Sequence, residues 1–494
     1  MTAATAKLLG QFYTPTEVAE SLIRSVVRSG SDRMLDPSCG NGQFLRLHRG
    51  GVGVDISPAS CAEARAHAPD AEVHQADFFE WAEHTGDRFD CVVGNPPFIR
   101  YQRFNGPARK RALRLARRAG ANLSRLTSSW APFVAVSSRL LVPGGRMAFV
   151  VPAEIGHAPY AVPLLEALCS SFGRVKVIAV REKIFADLSE DAWLLMASGY
   201  GERADAIDLT VWEEFRPFRR CPRPTKRVTL SAWRAHGCRL RKFLLPDAVL
   251  DYYGELSASE GCSRLGELAK VGIGYVTGAN DFFHLRPSQA AAYGIPRDCL
   301  VPAIRKGGQL PNGAVRPADV AMWLAADHAI LLLNLKGKGA LPKGVRAYLD
   351  TPAGQKARQT YKCRHRHPWY AVPDVSVPDA FISYMSGEKP TIAENLAGCV
   401  CTNSIHAVHF HMGASRRAAF EAWGHPLSDL SKELEGHPLG GGMLKLEPRE
   451  VCAVLLPLAV GIREQADLDL IDTGIRIARQ WRHYGKLPAT VSAS

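Results

Sequence analysis

Four consecutive residues, Asn95, Pro96, Pro97 and Phe98, follow the β-forming run at 91–93. The two prolines fix φ and remove two N–H donors, which predicts a rigid turn at the end of a buried strand. The Asn95 side-chain oxygen and the Pro96 carbonyl could accept both hydrogens of an amino group and disperse the positive charge that develops on its nitrogen. Phe98 could stack on the attached planar group. This pattern suits alkylation of an exocyclic amine, and a strand with a proline-rich turn is the alternative.

A glycine-punctuated segment at 33–45 precedes this turn and predicts a strand, a tight turn and the start of a helix. Gly40 and Gly42 allow the backbone to approach a ligand closely. The N–H groups at a helix start favour a carboxylate or a phosphate. Because many α/β turns contain such glycines, this segment gains weight only from the patterns around it.

Two acidic residues come at the ends of the next predicted strands, at 51–56 and 73–77. Asp55 is placed to accept hydrogen bonds from ribose hydroxyl groups. Asp77 and Phe78 could hold an adenine amino group and ring. Only 12 residues separate the second glycine of the turn from Asp55, so the first helix must be short.

The order of these patterns resembles the gamma class (TaqI-type) of DNA adenine-N6 methyltransferases from type II-like restriction-modification systems. The matching segments are GQFYTP at 10–15, which is similar to motif X, then DPSCGNG, VDI, ADF and NPPF. The resemblance implies S-adenosyl-L-methionine as cofactor and transfer of its methyl group to N6 of an adenine flipped out of double-stranded DNA. It assigns catalysis to Asn95, Pro96, Pro97 and Phe98. It assigns cofactor binding to Thr14, Asp36, Pro37, Gly40, Gly42, Asp55, Ile56, Asp77, Phe78 and Phe133.

The same resemblance extends past residues 95–98, here called the catalytic turn after the role that the resemblance assigns to them. Residues 141–152 are similar to a turn and the fifth strand of the methyltransferase sheet, and 175–180 and 192–196 are predicted as its last two strands. Phe185 resembles the aromatic residue that packs against the extruded base together with Phe98. The alternative for Phe133 is an ordinary core aromatic.

The formal net charge of +13 implies an anionic partner. Residues 100–125 hold nine basic residues and no acidic one, and 215–242 hold ten and none. A solvated basic helix is the alternative, but the first run begins two residues after Phe98, which favours contacts with a nucleic-acid backbone. The DNA-binding candidates are Arg100, Arg103, Arg109, Lys110, Arg111 and Lys445.

The predicted organisation has three parts. Residues 1–214 form the catalytic domain, a doubly wound, Rossmann-like α/β fold. Residues 215–244 are a basic, proline-containing linker. Residues 245–494 form a mixed α+β target-recognition domain. Four of its stretches, at 271–285, 364–373, 403–410 and 440–451, resemble TaqI-type specificity domains and are predicted as loops or hairpins that approach DNA.

Other classes of site are weakly indicated. The twelve cysteines lack a repeated CxxC pair, so no metal site is predicted, although Cys363, His365 and His367 leave a zinc alternative open. No apolar run or signal segment suggests a membrane, so we expect a cytoplasmic protein. No PD…ExK nuclease pattern is found. A separately encoded restriction endonuclease is therefore the second partner to consider besides double-stranded DNA, and we expect a monomer.

Several other reactions compete with adenine methylation. Cytosine-C5 methylation needs a thiolate nucleophile, supplied in that family by a Pro-Cys dipeptide that this chain lacks. Cytosine-N4 methylation of DNA, adenine-N6 methylation of RNA and a catalytically silent DNA-binding specificity protein stay open as alternatives.

Overall fold

The computed structural model describes residues 14–185, 191–459 and 465–485. The chain divides into two compact units, Met1–Leu244 and Leu245–Ser494. Each unit contains its own sheets and buried core. Among the described residues, no helix combines the length and apolar character needed to cross a bilayer.

A nine-stranded sheet forms the centre of the first unit, in the order β3-β2-β1-β4-β5-β7-β6-β8-β9. The strands are β1 (Met34–Asp36), β2 (Gly51–Asp55), β3 (Glu72–Gln75), β4 (Phe89–Gly94), β5 (Leu141–Pro152), β6 (Phe172–Val180), β7 (Ala192–Tyr200), β8 (Ala206–Trp212) and β9 (Lys226–Thr229). Strands β1 to β5 are parallel, whereas β7 runs antiparallel to both β5 and β6. This sheet confirms the predicted doubly wound α/β fold.

Seven α-helices accompany these strands in the described part of the first unit. They are α1 (Thr16–Val26), α2 (Pro58–His67), α3 (Phe78–His84), α4 (Gly106–Arg118), α5 (Trp130–Ser138), α6 (Ala161–Ser171) and α7 (Leu230–Ala235). Those between α1 and α7 lie in the connections between strands. Helix α1 buries Val18, Leu22 and Val26, whose spacing places them on one face, and it packs against β4 and β5. Between β1 and β2 only a 3-10 turn, Leu45–Leu47, is present, as the short spacing predicts.

The predictions for the far edge of this sheet were wrong in two ways. Strand β7 is not the last, because β8 pairs in parallel with β6, and β9 pairs antiparallel with β8. Residues 215–244 are therefore not a linker, since they carry β9 and α7 and belong to the first unit. Val228 of β9 is 2% exposed, so this side chain is buried although the surrounding segment is rich in arginine and proline.

The second unit has a mixed α+β architecture, as predicted. Its sheets have five strands (β11-β20-β16-β18-β14), four (β12-β15-β13-β19), three (β17-β22-β21) and two (β10-β23). These strands are β10 (Cys262–Arg264), β11 (Ala269–Ile273), β12 (His284–Leu285), β13 (Leu300–Ile304), β14 (Gly313–Val315), β15 (Leu331–Leu333), β16 (Ala380–Ser383), β17 (Met385–Ser386), β18 (Ile392–Asn395), β19 (Val400–Cys401), β20 (Ile405–Phe410), β21 (His437–Pro438), β22 (Leu444–Lys445) and β23 (Leu455–Pro457).

Twelve helices accompany these strands in the described part of the second unit. They are α8 (Asp247–Ser257), α9 (Leu265–Leu268), α10 (Asn280–Phe283), α11 (Pro287–Ala292), α12 (Pro317–Ala325), α13 (Lys343–Leu349), α14 (Pro352–Arg358), α15 (Tyr361–Arg364), α16 (Arg416–Trp423), α17 (Pro426–Glu435), α18 (Pro448–Ala453) and α19 (Gln465–Gln480). The segment at 403–410 is not a loop, because it contains β20, which is paired on both sides by β11 and β16. Its side chains Ile405 and Val408 are fully buried, so this stretch belongs to the core.

Candidate active site

The glycine turn and the Asn95–Phe98 turn lie next to each other because they follow adjacent parallel strands. Strands β1 and β4 are paired with Leu35 opposite Val92, so both turns leave the same edge of the sheet. The Ser38 hydroxyl donates to the backbone carbonyl of Asn95 at 3.2 Å. A Cβ atom on Gly94 would lie 3.1 Å from Asp36 Oδ1, so glycine permits the close approach of the two turns.

Ser129 fixes the catalytic turn from its other side. Its hydroxyl donates to the Pro97 carbonyl, and the Ile99 amide donates back to the same hydroxyl at 3.0 Å. The Ser129 amide also donates to the Ile99 carbonyl at 2.9 Å. Ser129 is 1% exposed, so these bonds are shielded from water. The sequence analysis did not identify Ser129 as a functional residue. Its position directly before the start of α5 is the sequence feature that could have indicated it.

The start of α5 is itself held by a second group of side chains. Trp130 Nε1 donates to the Tyr160 hydroxyl at 3.0 Å, and that hydroxyl donates to the Glu154 carboxylate. Glu154 lies in the 3-10 turn Ala153–Gly156 that follows β5, the next strand in the sheet after β4. The catalytic turn is thus connected through Ser129 to a network on the neighbouring strand.

The backbone of the glycine turn positions Asp55. The Gly40 amide donates to Asp55 Oδ2 at 3.0 Å, and the Ser57 amide donates to Oδ1 at 2.8 Å. Each carboxylate oxygen keeps a second lone pair for another donor, such as a ribose hydroxyl. Gly40 and Gly42 have φ values of +52° and +83°, and a Cβ atom on Gly42 would lie 3.0 Å from the Ala64 Cα atom. Both backbone conformations favour glycine, and at position 42 the contact with Ala64 also leaves no room for a side chain.

Asp36 is the most unusual acid of the site. It is 1% exposed, Oδ1 accepts from the Ser38 amide at 3.2 Å, and Oδ2 is buried without a hydrogen-bond partner among the described residues. Burial raises the pKa of Asp36 to about 8, and the nearby Asp55 carboxylate contributes to the increase. A buried carboxyl with an unused oxygen fits a cationic ligand group, such as the α-ammonium of the predicted cofactor.

The residues predicted to bind the nucleoside part of the cofactor differ in how accessible they are. Asp77 caps α3 through a bond from the Glu80 amide to Oδ1 at 3.0 Å. Phe78 and Phe133 are buried and stack on each other with ring centroids 4.9 Å apart, so these two rings leave no room for a third between them. Ile56, in contrast, is 67% exposed and free to contact a planar ligand.

The segment before α1 meets the glycine turn. Thr14 is buried, whereas Gly10 to Tyr13 of the same pattern lie outside the described residues. Pro15 occupies the N-cap position of α1, so no side chain caps this helix. The Thr16 hydroxyl instead accepts from Gln43 Nε2 at 3.1 Å and from Arg46 Nη2 at 3.3 Å, which ties the segment to residues just after Gly42.

Phe98 and Phe185 belong to one hydrophobic cluster. Phe185 is buried within it, and Phe98 is partly buried and packs against it. The structure thus brings the two predicted base-packing residues to the same cluster.

The basic candidates differ in how much of their charge the protein already uses. Arg111 lies 3.3 Å from Glu80 and 3.4 Å from Glu83, so it ties α4 to α3. Arg109 donates to two backbone carbonyls. In the second unit, Lys445 is 2.5 Å from Glu447 and stacks over the Tyr384 ring. Two further candidates, Arg103 and Lys110, are exposed, and Arg100 has a partner within the protein.

No metal centre was predicted, and the zinc alternative finds no support in the part of the chain that the structure describes. No group of three His, Cys, Asp or Glu side chains there could hold a metal ion. Cys363 is buried, and its thiol faces the Thr277 carbonyl.

Three family models match the chain. The model described as "Type II methyltransferase M.Eco57I, C-terminal domain" matches residues 239–486. "Eco57I restriction-modification methylase" matches 55–184, and "N-6 DNA Methylase" matches 1–50. Together they cover the glycine turn, the catalytic turn and nearly all of the second unit.

Curated relatives match either a part of the chain or nearly all of it. Type II methyltransferase M.TthHB8I of Thermus thermophilus is 32% identical over 164 residues, which are 30% of this chain and 36% of that protein. M.XamI of Xanthomonas campestris pv. amaranthicola is 23% identical over 91% of this chain and 85% of its own length. M.AccI of Acinetobacter calcoaceticus is 18% identical over 90% of this chain and 84% of its own.

Proposed function

The chain belongs to the family of type II methyltransferases that share the M.Eco57I C-terminal domain, and we propose that it methylates N6 of adenine at a specific site in double-stranded DNA, using S-adenosylmethionine. The proposal rests on one observation above all. The Asn95–Phe98 turn is held between Ser38 and Ser129, directly beside the glycine turn. An amino-group clamp and a nucleoside-binding turn therefore lie on adjacent strands.

The residues of the catalytic turn act on the amino group of the substrate. The Asn95 side-chain oxygen and the Pro96 carbonyl accept its two N–H groups, which directs the nitrogen lone pair away from the ring and stabilises the positive charge that develops there. Phe98 packs on the base, and Phe185 supports it within the same cluster. Positioning and charge dispersal account for the reaction without a strong general base.

The cofactor, when bound, supplies an electrophilic methyl group. Asp36 would hold its ammonium group, Asp55 would accept from the ribose hydroxyls, and Asp77 would accept from the adenine amino group. The buried, unpaired oxygen of Asp36 and the exposed Ile56 side chain both fit such a ligand. Thr14 and Pro37 would line the methionine side.

The substrate base must leave the duplex to reach this turn. A paired adenine keeps its amino group inside the stack, so the nucleotide is extruded, at a cost of a few kcal/mol. Exposed cations on and around α4, Arg103 and Lys110 among them, contact the flanking phosphates and contribute affinity that is independent of sequence.

The second unit carries the choice of sequence. In the type II context of its relatives, the resulting methyl mark protects host DNA from a cognate restriction endonuclease, supplied by a separate chain.

Modified-base sequencing of DNA from a host that expresses the chain tests this function. The expected result is N6-methyladenine at one recurring sequence, absent from a host that expresses Asn95→Ala. N4-methylcytosine at a recurring site would show that the enzyme methylates cytosine rather than adenine. Methylated adenine in RNA alone would show that its substrate is RNA rather than DNA. No modification in either nucleic acid would favour a silent DNA-binding protein.

A further inference from the structure

Exposed apolar side chains in the first unit are concentrated at its functional edge. Among its described residues, three large apolar side chains are markedly exposed: Ile56 at 67%, Tyr101 at 37% and Leu126 at 62%. Ile56 directly follows β2 and is explained by the cofactor. Tyr101 and Leu126 lie three residues from Phe98 and Ser129 respectively, and neither contributes to the core. Clustered exposed apolar surface marks a contact site.

The segments that carry Tyr101 and Leu126 are joined to each other. Arg109 Nη1 donates to the Tyr101 carbonyl and to the Arg125 carbonyl, both at 3.3 Å. Ser129 adds the bonds to Pro97 and Ile99 described above. Residues 99–104 and 124–128 are here called the rim. Arg109 joins its two segments, and Ser129, which follows the second segment, bonds both Ile99 of the first segment and the catalytic turn.

The charge around the rim identifies its partner as a polyanion. Arg103 and Arg125 are exposed on its two segments, and residues 100–125 contain no acidic side chain. The acids on α3 that face α4, Glu80 and Glu83, pair with Arg111 and Arg114. The rim therefore presents two apolar side chains flanked by cations, a combination suited to the sugars, bases and phosphates of DNA.

We propose that the rim contacts the DNA duplex beside the extruded nucleotide, with Tyr101 and Leu126 packed against bases and sugars that lose a stacking neighbour when the target leaves. Arg103 and Arg125 contact the adjacent phosphates. Arg109 acts as a positioning residue that joins the two segments. This inference rests on the proposed function and adds a contact that is not electrostatic.

Salt dependence separates the two kinds of contact. Affinity for a duplex oligonucleotide is measured over a range of salt concentrations for wild type, for Tyr101→Ala/Leu126→Ala and for Arg103→Ala/Arg125→Ala. The apolar double variant should bind about five-fold or more weakly at every salt concentration, with an unchanged slope, because stacking and packing do not release counterions. The charge variant should lower the slope by about 0.9 for each phosphate that it no longer neutralises.

Met322→Ala is the matched control, because Met322 is similarly exposed, at 61%, but lies on α12 of the second unit. It should bind like wild type. Leu126→Met, which keeps the apolar side chain, should also retain wild-type affinity. Because all these side chains are exposed, thermal melting should be unchanged throughout.

Two results would overturn the inference: affinity of the apolar variant within two-fold of wild type, or a loss that appears only as a reduced salt slope. If the wild type bound RNA more tightly than duplex DNA, the partner of the rim would be RNA and the inference would be wrong. Methyl transfer by the wild type, measured in the same samples, decides the proposed function separately. A chain that methylates DNA but binds equally well without Tyr101 and Leu126 would refute the rim and leave the proposed function intact.

Discussion

The Ser129 hydroxyl lies between the carbonyl of Pro97 and the amide of Ile99, and accepts from the latter at 3.0 Å. These two groups flank Phe98, the aromatic residue of the catalytic turn. Because prolines at 96 and 97 supply no amide hydrogens, the turn cannot fix itself through its own N–H groups at these positions. A side chain 32 residues away in the chain does so instead.

Ser129→Ala should therefore lower kcat by about ten-fold or more while affinity for S-adenosylmethionine stays unchanged, because a displaced turn misplaces the amino group. Ser138→Ala is the matched control. Ser138 is buried at the end of α5, the helix that Ser129 precedes, and its hydroxyl donates to the Ala135 carbonyl at 2.8 Å, away from the catalytic turn. Both variants should melt at lower temperature, and a parallel fall in kcat for both would reduce Ser129 to a structural role.

Asp36 predicts a pH-dependent cofactor affinity. Its pKa of about 8 in the free protein means that the carboxyl is largely protonated at neutral pH, and a bound ammonium would lower that pKa. Binding should therefore release a proton, and affinity should rise with pH up to about 8. Titration calorimetry in buffers of different ionisation enthalpy measures the release, which Asp36→Asn should abolish while weakening binding.

The same carboxyl affects the stability of the cofactor-free protein. Its folded-state pKa lies above the unfolded value of about 3.9. Its stabilising contribution is therefore complete below about pH 4 and lost as the pH rises to about 8. Denaturant unfolding at pH 8 should show Asp36→Asn to be at least as stable as wild type. A strongly destabilised variant at that pH would contradict the burial of an unpaired charge.

The exposed cations of α4 should contribute affinity without specificity. Replacing Lys110, Arg117 and Arg118 with alanine should weaken binding to target and random duplexes by similar factors, and should flatten the salt dependence by about 0.9 for each phosphate left without its cation. Arg111→Ala should instead lower the melting temperature, because Arg111 pairs with Glu80 and Glu83. A change of methylated sequence in the triple variant would contradict this division.

Exchange of the second unit should move the methylated site. The natural junction is between Leu244 and Leu245, where the two units divide. A chimera that carries the corresponding region of a family relative in place of 245–494 should methylate the relative's sequence, as read by modified-base sequencing. If the chimera modified the original sequence, base recognition would reside in the first unit.

The sequence predicted the features that depend on local chemistry. Glycines with positive φ and two consecutive prolines shape the backbone wherever they occur. The fifth strand predicted within 141–152 is present, but β5 spans the whole of Leu141–Pro152, including the residues predicted as a turn. Contacts between distant segments were not predictable in this way. Nothing in the sequence distinguishes Ser129 from other serines, and its role follows only from its contact with Pro97 in the folded chain. In the same way, the sequence offers Arg111 as a DNA contact, whereas the fold pairs it with Glu83.

The segment at 215–244 shows the same difference on a larger scale. Its prolines and arginines resemble a linker, and a four-residue strand has too short a pattern to stand out from that composition. The pairing of β9 with β8, with Val228 opposite Ile207, depends on an edge strand that local sequence does not reveal. The stacking of Phe78 on Phe133 was likewise not predictable, because the sequence does not indicate whether an aromatic side chain contacts a ligand or another ring.

Methyl transfer to a defined duplex by the purified chain and its Asn95→Ala variant tests the central claim most directly. Labelled duplex is digested to nucleosides after reaction, and the products are identified by mass spectrometry. The account predicts N6-methyladenine as the sole methylated nucleoside, with a rate at least about 100-fold lower for Asn95→Ala and DNA binding preserved. A methylated cytosine, or a variant rate within about three-fold of wild type, would contradict it.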